Sequence, residues 1–492
     1  MRAISTIIDL YTPEEAWEEL RRRRSAYYDE CAALFCGSHD RLKATGECGS
    51  FWRRNGKGKM HVPVAADIAS VGASMLFGEP PRFTIFDQSL GDTETGSQSR
   101  LEEIISENDL ISKLHEAAEK NAAYGDVYLK CRYDQKAMTA PCVHVISGYD
   151  ALPEYRVNAL ACVHFFTVIK VESKTGKLWR LYERYEPGRI LSAVFFGDSA
   201  SIGKLTNEVL GELDIVPEVV TPVSDMLAAH IPNMKPSRVW ETGDKGRSDF
   251  EGIRDMMDGL DETYSSWVRD IRLAKSRLIV PAEFLRRKPD NMFTGENYGQ
   301  YEFDQDIETL TALDIGGDGV DMKITPSQFA IRSGEHKETY ESILRGIISM
   351  AGYAPQTFGL DINGNAESGK ARQIMEKKSI QTTLKKQGYW RNPLGAFMTA
   401  VMRLDKALYG NDKFHDDDFV RVEFAPPIRT DAADMAQAVN LLLSAQSAST
   451  ETRVKMLHPD WNENHVKEEV EKIRAEFGVD TGEAVPELGD LE

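Results

Sequence analysis

Nine apolar residues spaced alternately three and four apart run from Phe250 to Leu278. This spacing is that of a heptad repeat, and it predicts one long helix with a narrow apolar stripe. Ser248 and Glu251 form a capping-box pattern at its start, and Pro281 marks its end. At about 1.5 Å per residue this helix would be roughly 45 Å long, more than a compact domain usually contains. The pattern leaves two interpretations open: an ordinary core helix, or a strut that packs against similar struts.

The chain has 492 residues, of which 41% are hydrophobic and 28% charged, so it is long enough for two to four domains with a sizeable core. No stretch approaches the roughly 20 apolar residues that a membrane span needs, and we expect no membrane partner. The acidic first 20 residues do not have the pattern of a signal peptide. Six cysteines without a CxxC pair or metal-ligand spacing predict free, buried thiols in a reducing compartment.

The net charge of −19 argues against a protein that grips nucleic acid over its whole surface, because such binding needs many Lys or Arg contacts to phosphates. The charge is nevertheless uneven. Seven basic residues and one acid, Glu376, lie between Lys370 and Arg391. This basic stretch indicates either a local contact with a polyanion or a solvated helix face.

The remaining patterns predict an α+β chain. Apolar periodicities predict helices over 1–45, 63–77, 100–123, 333–351 and from 368 onward, with a kink near Gly388 and Pro393. Alternating patterns predict strands between Arg82 and Phe86, from Val127 to about Phe196, and from Val420 to Phe424. Three further helices are predicted near 431–447, 450–457 and 462–477, before an acidic tail that we expect to be disordered.

The strongest enzymatic pattern is the segment from Gly364 to Ala371, which nearly matches the phosphate-binding P-loop GxxxxGK[ST]. The last position is Ala371, so the hydroxyl that would hold Mg²⁺ is missing. The histidines include no HExxH, the acidic loops lack EF-hand spacing, and no GxSxG elbow is present. We therefore predict no catalytic residues, no metal and no cofactor.

Four stretches taken in order resemble the portal proteins of tailed bacteriophages. They are His61–Pro81 with its Gly-Glu-Pro-Pro break, Ala123–Leu129, Pro232–Ile253 with Gly246-Arg-Ser-Asp-Phe-Glu-Gly, and Gly352–Ala371 with Tyr-Ala-Pro-Gln-Thr-Phe-Gly. The resemblance rests on the order and spacing of these stretches together with the long helix. The resemblance covers residues 50–477, and it implies a non-catalytic ring through which DNA is packaged and ejected.

The resemblance implies a multi-domain portal fold with an α/β wing, a two-helix stem, a small β-containing clip and a helical crown. Its expected parts are a wing (1–245), stem helix 1 (246–281), a clip (282–332), stem helix 2 (333–352), a tunnel loop (353–368), a kinked tunnel helix with a strand returning to the wing (369–429), a crown (430–478) and the acidic tail (479–492).

The resemblance also assigns residues and partners. The expected DNA-tunnel residues are Asn363, Asn365, Lys370, Arg372 and Lys377. Oligomer contacts are expected from the stem residues Phe250, Ile253, Met257, Leu260, Tyr264, Trp267 and Ile271, and partner docking from the clip residues Arg286, Arg287 and Lys288. The implied partners are further copies of the chain in a cyclic ring, usually of twelve; double-stranded DNA; the terminase large subunit; head-completion or adaptor proteins; and the capsid and scaffolding proteins. The implied location is the portal vertex of the virion, after assembly in the host bacterial cytoplasm.

Three alternatives remain open from the residues. A nucleotide-binding protein would use Gly364–Lys370, and a coiled-coil scaffold would use the seam from Phe250 to Leu278. A prophage remnant with portal ancestry would have no packaging role. Binding of ATP would favour the first, a dimer or filament the second.

Overall fold

The computed structural model describes six segments of the chain, 10–37, 60–86, 96–274, 331–360, 369–425 and 432–476, apart from short gaps inside them. It also describes the backbone of four short strands between residues 277 and 327. Helices and antiparallel sheets both contribute, which confirms the predicted α+β class. Among the helices of these segments, none is both long enough and apolar enough to cross a lipid bilayer. The five described cysteines are free; Cys31, Cys131 and Cys162 are buried as predicted, whereas Cys142 is only partly buried and Cys36 is exposed.

Eleven α-helices are described. They are α1 (Pro13–Arg23), followed by a π-helical turn (Arg24–Tyr28), α2 (Asp29–Cys36), α3 (Val64–Phe77), α4 (Gly96–Glu107), α5 (Leu110–Tyr124), α6 (Arg254–Leu273), α7 (Ser333–Ala351), α8 (Gly369–Tyr409), α9 (Ala432–Ser444), α10 (Thr450–Leu457) and α11 (Glu463–Glu476). A short 3₁₀ turn, Pro355–Phe358, lies between α7 and α8.

The described strands are β1 (Arg82–Phe86), β2 (Asp126–Arg132), β3 (Cys142–Ser147), β4 (Ala151–Arg156), β5 (Ala159–Val171), β6 (Leu178–Glu186), β7 (Arg189–Gly197), β8 (Lys204–Leu205), β9 (Glu218–Val220), β10 (Ala228–Pro232), β11 (Arg277–Ile279), β12 (Arg286–Arg287), β13 (Tyr301–Glu302), β14 (Thr325–Ser327) and β15 (Phe419–Glu423). The largest sheet has the order β4-β5-β6-β7-β8, with β9 also paired to β7. A second sheet has the order β10-β2-β3, and β1 pairs with β15.

The largest hydrophobic core lies between these sheets and the C-terminal half of α8. It includes the fully buried Trp390, whose ring makes an edge-on contact with Phe77 at 5.0 Å between centroids. The strand β15 lies against the same half of α8, and the amide of Val420 donates to Thr399 Oγ1 at 2.9 Å. Helix α8 and strand β15 therefore pack against elements from the N-terminal half of the chain.

Helices α6 and α7 form an antiparallel hairpin. Met256 lies beside Gly346, Tyr264 contacts Tyr340, and Trp267 stacks on His336, so residue numbers fall along α7 as they rise along α6. The buried apolar residues of α6 and α7 belong to one hydrophobic cluster, which also includes residues of α2, α3 and α5. The narrow stripe read from the sequence therefore has a partner inside the same chain.

The predicted start of the first of these helices is wrong. The helix begins at Arg254 and is 20 residues long, about 30 Å. Ser248 instead accepts the amide of Phe250 and donates to the carbonyl of Ala123 at 2.7 Å. The carboxylate of Glu251 accepts from Ser237 at 2.9 Å. These tertiary bonds use the two side chains that a capping box would have used, so the chain stays irregular until residue 253.

The predicted end of the same helix is also wrong. Helix α6 stops at Leu273, and Leu278 lies in β11, which pairs antiparallel with β14. Two further predictions concern breaks inside helices. The predicted helix 100–123 is divided into α4 and α5 by Asp109, which has a φ of +46°. By contrast, α8 runs as one helix through Gly388 and Pro393, and its kink stays a prediction.

Candidate functional site

The candidate site is the junction loop, residues 245–253, which connects the β10-β2-β3 sheet to the α6–α7 hairpin. The loop lies against the end of α5, where Gly125 has a φ of +85°. The Gly125 carbonyl accepts the amide of Asn233 at 2.8 Å, and the Asp249 amide donates to Ala122 at 2.9 Å. Backbones of three chain segments are thus in direct contact at this point.

Asp249 and Lys386 form a buried ion pair at the centre of the junction. The Lys386 Nζ lies 2.6 Å from Asp249 Oδ2, and the two side chains are 3% and 0% exposed. Tyr353 donates its hydroxyl to the same carboxylate oxygen at 3.0 Å, and Asn233 donates to the other at 2.8 Å. The pair and these hydrogen bonds hold the loop before α6, the segment after α7 and the long helix α8 at one point.

A second buried cluster surrounds Asp126, the first residue of β2. Its carboxylate lies 2.7 Å from His230 Nε2 and accepts the amide of Gly246 at 2.8 Å. Lys245 donates to Tyr28, whose hydroxyl in turn lies 3.3 Å from Asp126. Burial raises the pKa of Asp126, but the neighbouring His230 and Lys245 and the Gly246 amide outweigh burial and hold this pKa below its ordinary value. The carboxylate is thus charged, and it fixes the loop's first residues.

Replacing Gly125 with alanine is expected to destabilise the protein by at least about 2 kcal/mol. The positive φ is unfavourable for any residue with a Cβ, and the added atom would lie 2.8 Å from the carbonyl oxygen of Gly246 and 2.8 Å from the amide nitrogen of Ser248. Gly410→Ala is the matched control, because Gly410 has a φ of +79° but no atom of the described residues lies within 4 Å of the added Cβ. Thermal unfolding of both variants measures the difference, and equal midpoints would show that the close approach contributes nothing.

A pocket of about 280 Å³ opens beside the junction. Its lining includes the loop residues Arg247 and Glu251, together with Arg238 and the end of α7 at Met350. Met350 is 66% exposed. The junction thus presents both charged groups and an apolar side chain to solvent.

The seven predicted oligomer residues are distributed over three environments. Phe250, Ile253, Met257 and Leu260 are buried within the chain. Tyr264 and Trp267 are half-buried against α7, while Ile271 is 46% exposed. The apolar pattern is therefore largely explained by contacts within one chain, and the oligomer role of these residues stays a prediction.

The basic stretch of α8 is divided between two faces. Lys377, Lys385 and Arg391 are exposed at spacings that place them on one side of the helix, and we call these three residues the basic stripe. Lys386 is buried on the opposite side, and Lys378 donates to Ser349. Only part of the predicted polyanion contact is thus available to a partner.

The other predicted tunnel and clip residues are less fully described. Lys370 and Arg372 lie in the first turn of α8, but their side chains lie outside the described part, as do Asn363 and Asn365 entirely. Arg286 and Arg287 form β12, which pairs with β13, whereas Lys288 lies outside the described residues. The predicted roles of these residues stay predictions.

Sequence reasoning missed the buried junction. One signal was present: Lys386 shares its helix face with Thr383 and Trp390, at spacings of three and four residues. A lysine on a buried face requires a partner. Nothing in the local pattern identifies that partner as Asp249, which is more than 130 residues away.

The family model described as "Phage portal protein, SPP1 Gp6-like" matches residues 40–478 of this chain. No curated protein matches this chain. Among solved structures, the chain is similar to one from "Virion of native gene transfer agent (GTA) particle", with 11% identity, a TM-score of 0.43, and coverage of 80% of this chain and 89% of that chain. It is also similar to one from "Neck of empty GTA particle computed with C6 symmetry", with 12% identity, a TM-score of 0.45, and coverage of 83% and 92%. Both structural similarities are weak.

Proposed function

Because the chain belongs to the SPP1 Gp6-like family of phage portal proteins, we propose that it forms a ring-shaped DNA channel at one vertex of a capsid. In this role the terminase drives DNA through the ring during packaging, and the ring then retains the genome until ejection. The role is structural, and ATP hydrolysis belongs to the terminase. The family match over residues 40–478 is the observation that carries this proposal.

The α6–α7 hairpin supports a ring. In a closed ring each subunit presents two different surfaces to its neighbours, and apolar groups left exposed by one chain are covered by the next. Ile271 and Leu273 at one end of α6 are 46% and 47% exposed, and Met350 near the other end of the hairpin is 66% exposed. We propose that these side chains, rather than the buried first half of the stripe, contact the neighbouring subunit.

We propose that residues 1–245 together with the strand 419–423 form the wing, which agrees with the pairing of β15 to β1. The hairpin would be the stem, 282–332 the clip, 353–368 the tunnel loop, α8 the tunnel helix, 430–478 the crown and 479–492 an acidic tail. The clip, with Arg286, Arg287 and Lys288, would dock the terminase large subunit and later the head-completion or adaptor proteins. Scaffolding and major capsid proteins would be further partners, and the ring would be assembled in the host bacterial cytoplasm.

The first experiment is a native mass measurement of the purified full-length chain combined with negative-stain images. We expect closed rings of about twelve copies of the 55.2 kDa chain, with a central hole that admits duplex DNA.

Ile271→Glu should reduce the fraction of rings, because it places a charge in the proposed subunit contact. A dimer or an open filament would contradict the channel and favour the coiled-coil scaffold.

The double variant Lys370→Glu, Arg372→Glu is expected to change DNA retention in assembled particles without changing ring assembly. Both residues begin the proposed tunnel helix, and reversing their charge replaces attraction for phosphates with repulsion. Lys170→Glu, Lys177→Glu is the charge-matched control, because both lysines are exposed on the β5-β6 hairpin. Packaged and retained DNA are measured by nuclease protection, and equal retention in the two double variants would contradict a DNA-facing position for residues 370 and 372.

A further inference from the structure

Three potential metal ligands lie together on one face of the β4-β5 pair. Cys162 is directly opposite Glu154 across the two strands, and His164 lies two residues after Cys162 on the same face. The register of the pair shifts between Glu154 and Tyr155, where the extra residue Ala161 of β5 forms a β-bulge opposite the edge strand β4. Bulges of this kind re-aim side chains, and here a carboxylate, a thiol and an imidazole converge.

The separations of the three donor atoms are close to those around a tetrahedral ion. His164 Nε2 lies 3.4 Å from Cys162 Sγ and 2.7 Å from Glu154 Oε1, and all three atoms lie within 4.8 Å of one another. Zinc bonds of about 2.3 Å to sulfur and 2.0–2.1 Å to nitrogen or oxygen imply donor separations of about 3.6 Å and 3.3 Å. The sulfur is already at such a distance, and the carboxylate needs to move by about half an ångström.

The surrounding groups orient these donors as an outer shell orients metal ligands. The second ring nitrogen of His164, Nδ1, lies 2.9 Å from the hydroxyl of Tyr182, so the ring orientation is fixed and Nε2 faces the other two ligands. Glu154 Oε1 also accepts the amide of Tyr11 at 2.8 Å.

We propose that Glu154, Cys162 and His164 bind one divalent transition-metal ion of the zinc type. The charges balance, because a thiolate and a carboxylate offset the two positive charges of the ion. His164 is fully buried, whereas the Glu154 side chain is 13% exposed, so a water molecule has access to the fourth coordination position from the strand edge. The ion would hold β4 to β5 at the bulge, and through Glu154 it would hold the segment before α1.

Metal binding has a defined proton balance. The Cys162 thiol loses its proton to solvent, forming the S–metal bond. Without the ion, His164 Nε2 lies 2.7 Å from the carboxylate of Glu154, which only accepts, so Nε2 carries the ring proton. Binding therefore also moves this proton to Nδ1, where it is donated to the Tyr182 oxygen and leaves the Nε2 lone pair free for the metal. The S–H bond and the Nε2–H bond break, an Nδ1–H bond forms, and no electron is transferred.

The test uses the purified full-length protein, freed of metal with a chelator and titrated with Co²⁺ as a spectroscopic substitute for zinc. We expect one ion per chain and a thiolate-to-cobalt charge-transfer band in the near ultraviolet. Excess Zn²⁺ should remove the band and raise the thermal unfolding midpoint, because an ion that binds only the folded state stabilises it.

Cys162→Ala should abolish the band, while Cys131→Ala is the matched control, since Cys131 is an equally buried cysteine on β2. Glu154→Gln keeps the side-chain shape and should weaken binding at least about ten-fold, since it removes the anionic ligand. It provides a second readout if Cys162→Ala does not fold. A wild-type protein without the band, or a band of equal strength in the Cys162 and Cys131 variants, would overturn the metal site.

Discussion

Lys386→Met is expected to destabilise the protein by about 3–5 kcal/mol, because it leaves the carboxylate of Asp249 charged and buried without its cationic partner. Methionine has nearly the length of lysine, so packing in the wall of α8 is largely kept and the loss is mainly electrostatic. Tyr353 and Asn233 remain as donors to the carboxylate, but neither carries a positive charge. The thermal unfolding midpoint, compared at the same oligomeric state, measures the effect.

Lys385→Met is the matched control for this variant. Lys385 precedes Lys386 in the same helix but is exposed, and surface charges of this kind contribute little to stability. Adding Asp249→Asn to Lys386→Met should restore part of the lost stability, because the double variant no longer buries an unpaired charge. A midpoint for Lys386→Met no lower than that of Lys385→Met would mean that the ion pair does not hold the junction together.

Reversing the charge of the basic stripe with Lys377→Glu, Lys385→Glu and Arg391→Glu is expected to cause the largest loss of DNA binding. If α8 lines the channel, each subunit contributes three cations to it, and the ring repeats them around the DNA. We expect the association constant for a short duplex to fall at least about ten-fold, and the slope of log K against log salt to become shallower by about one for each lost phosphate contact. Titration of isolated rings at several salt concentrations measures both quantities.

The control for the stripe is the triple variant Lys170→Glu, Lys177→Glu and Lys204→Glu, which makes the same change in net charge on exposed lysines of the large sheet. It separates a local contact from a general effect of a more acidic protein. An unchanged salt slope in the stripe variant, or equal losses in both triple variants, would remove α8 from the proposed DNA-facing wall. Ring assembly is expected to persist in both.

The sequence does not predict the two buried charge clusters, around Asp249 and Asp126, whereas it does predict most of the helices and strands around them. The helix Val64–Phe77 and the helix Ser333–Ala351 were predicted to within a residue, because their apolar spacing is regular and Gly78 and Gly352 stop them. The wrong capping box at Ser248 has the opposite origin. The residues of the motif are those of a capping box, but Ser248 bonds to Ala123 and Glu251 to Ser237. Both partners are more than ten residues away in the sequence.

The amino-acid sequence alone determined the class of the fold, most helices and strands, and the resemblance to portal proteins, since periodicity, turn residues and motif order are local properties of the chain. Only the tertiary structure decided how far α6 extends, which lysines of α8 are exposed, and which carboxylates become buried. The physical reason is that a charged side chain becomes exposed or paired according to which other segments of the chain pack against it in the folded protein. Asp249 and Lys386 are distant in the chain, and their pairing depends on three helices meeting at one loop.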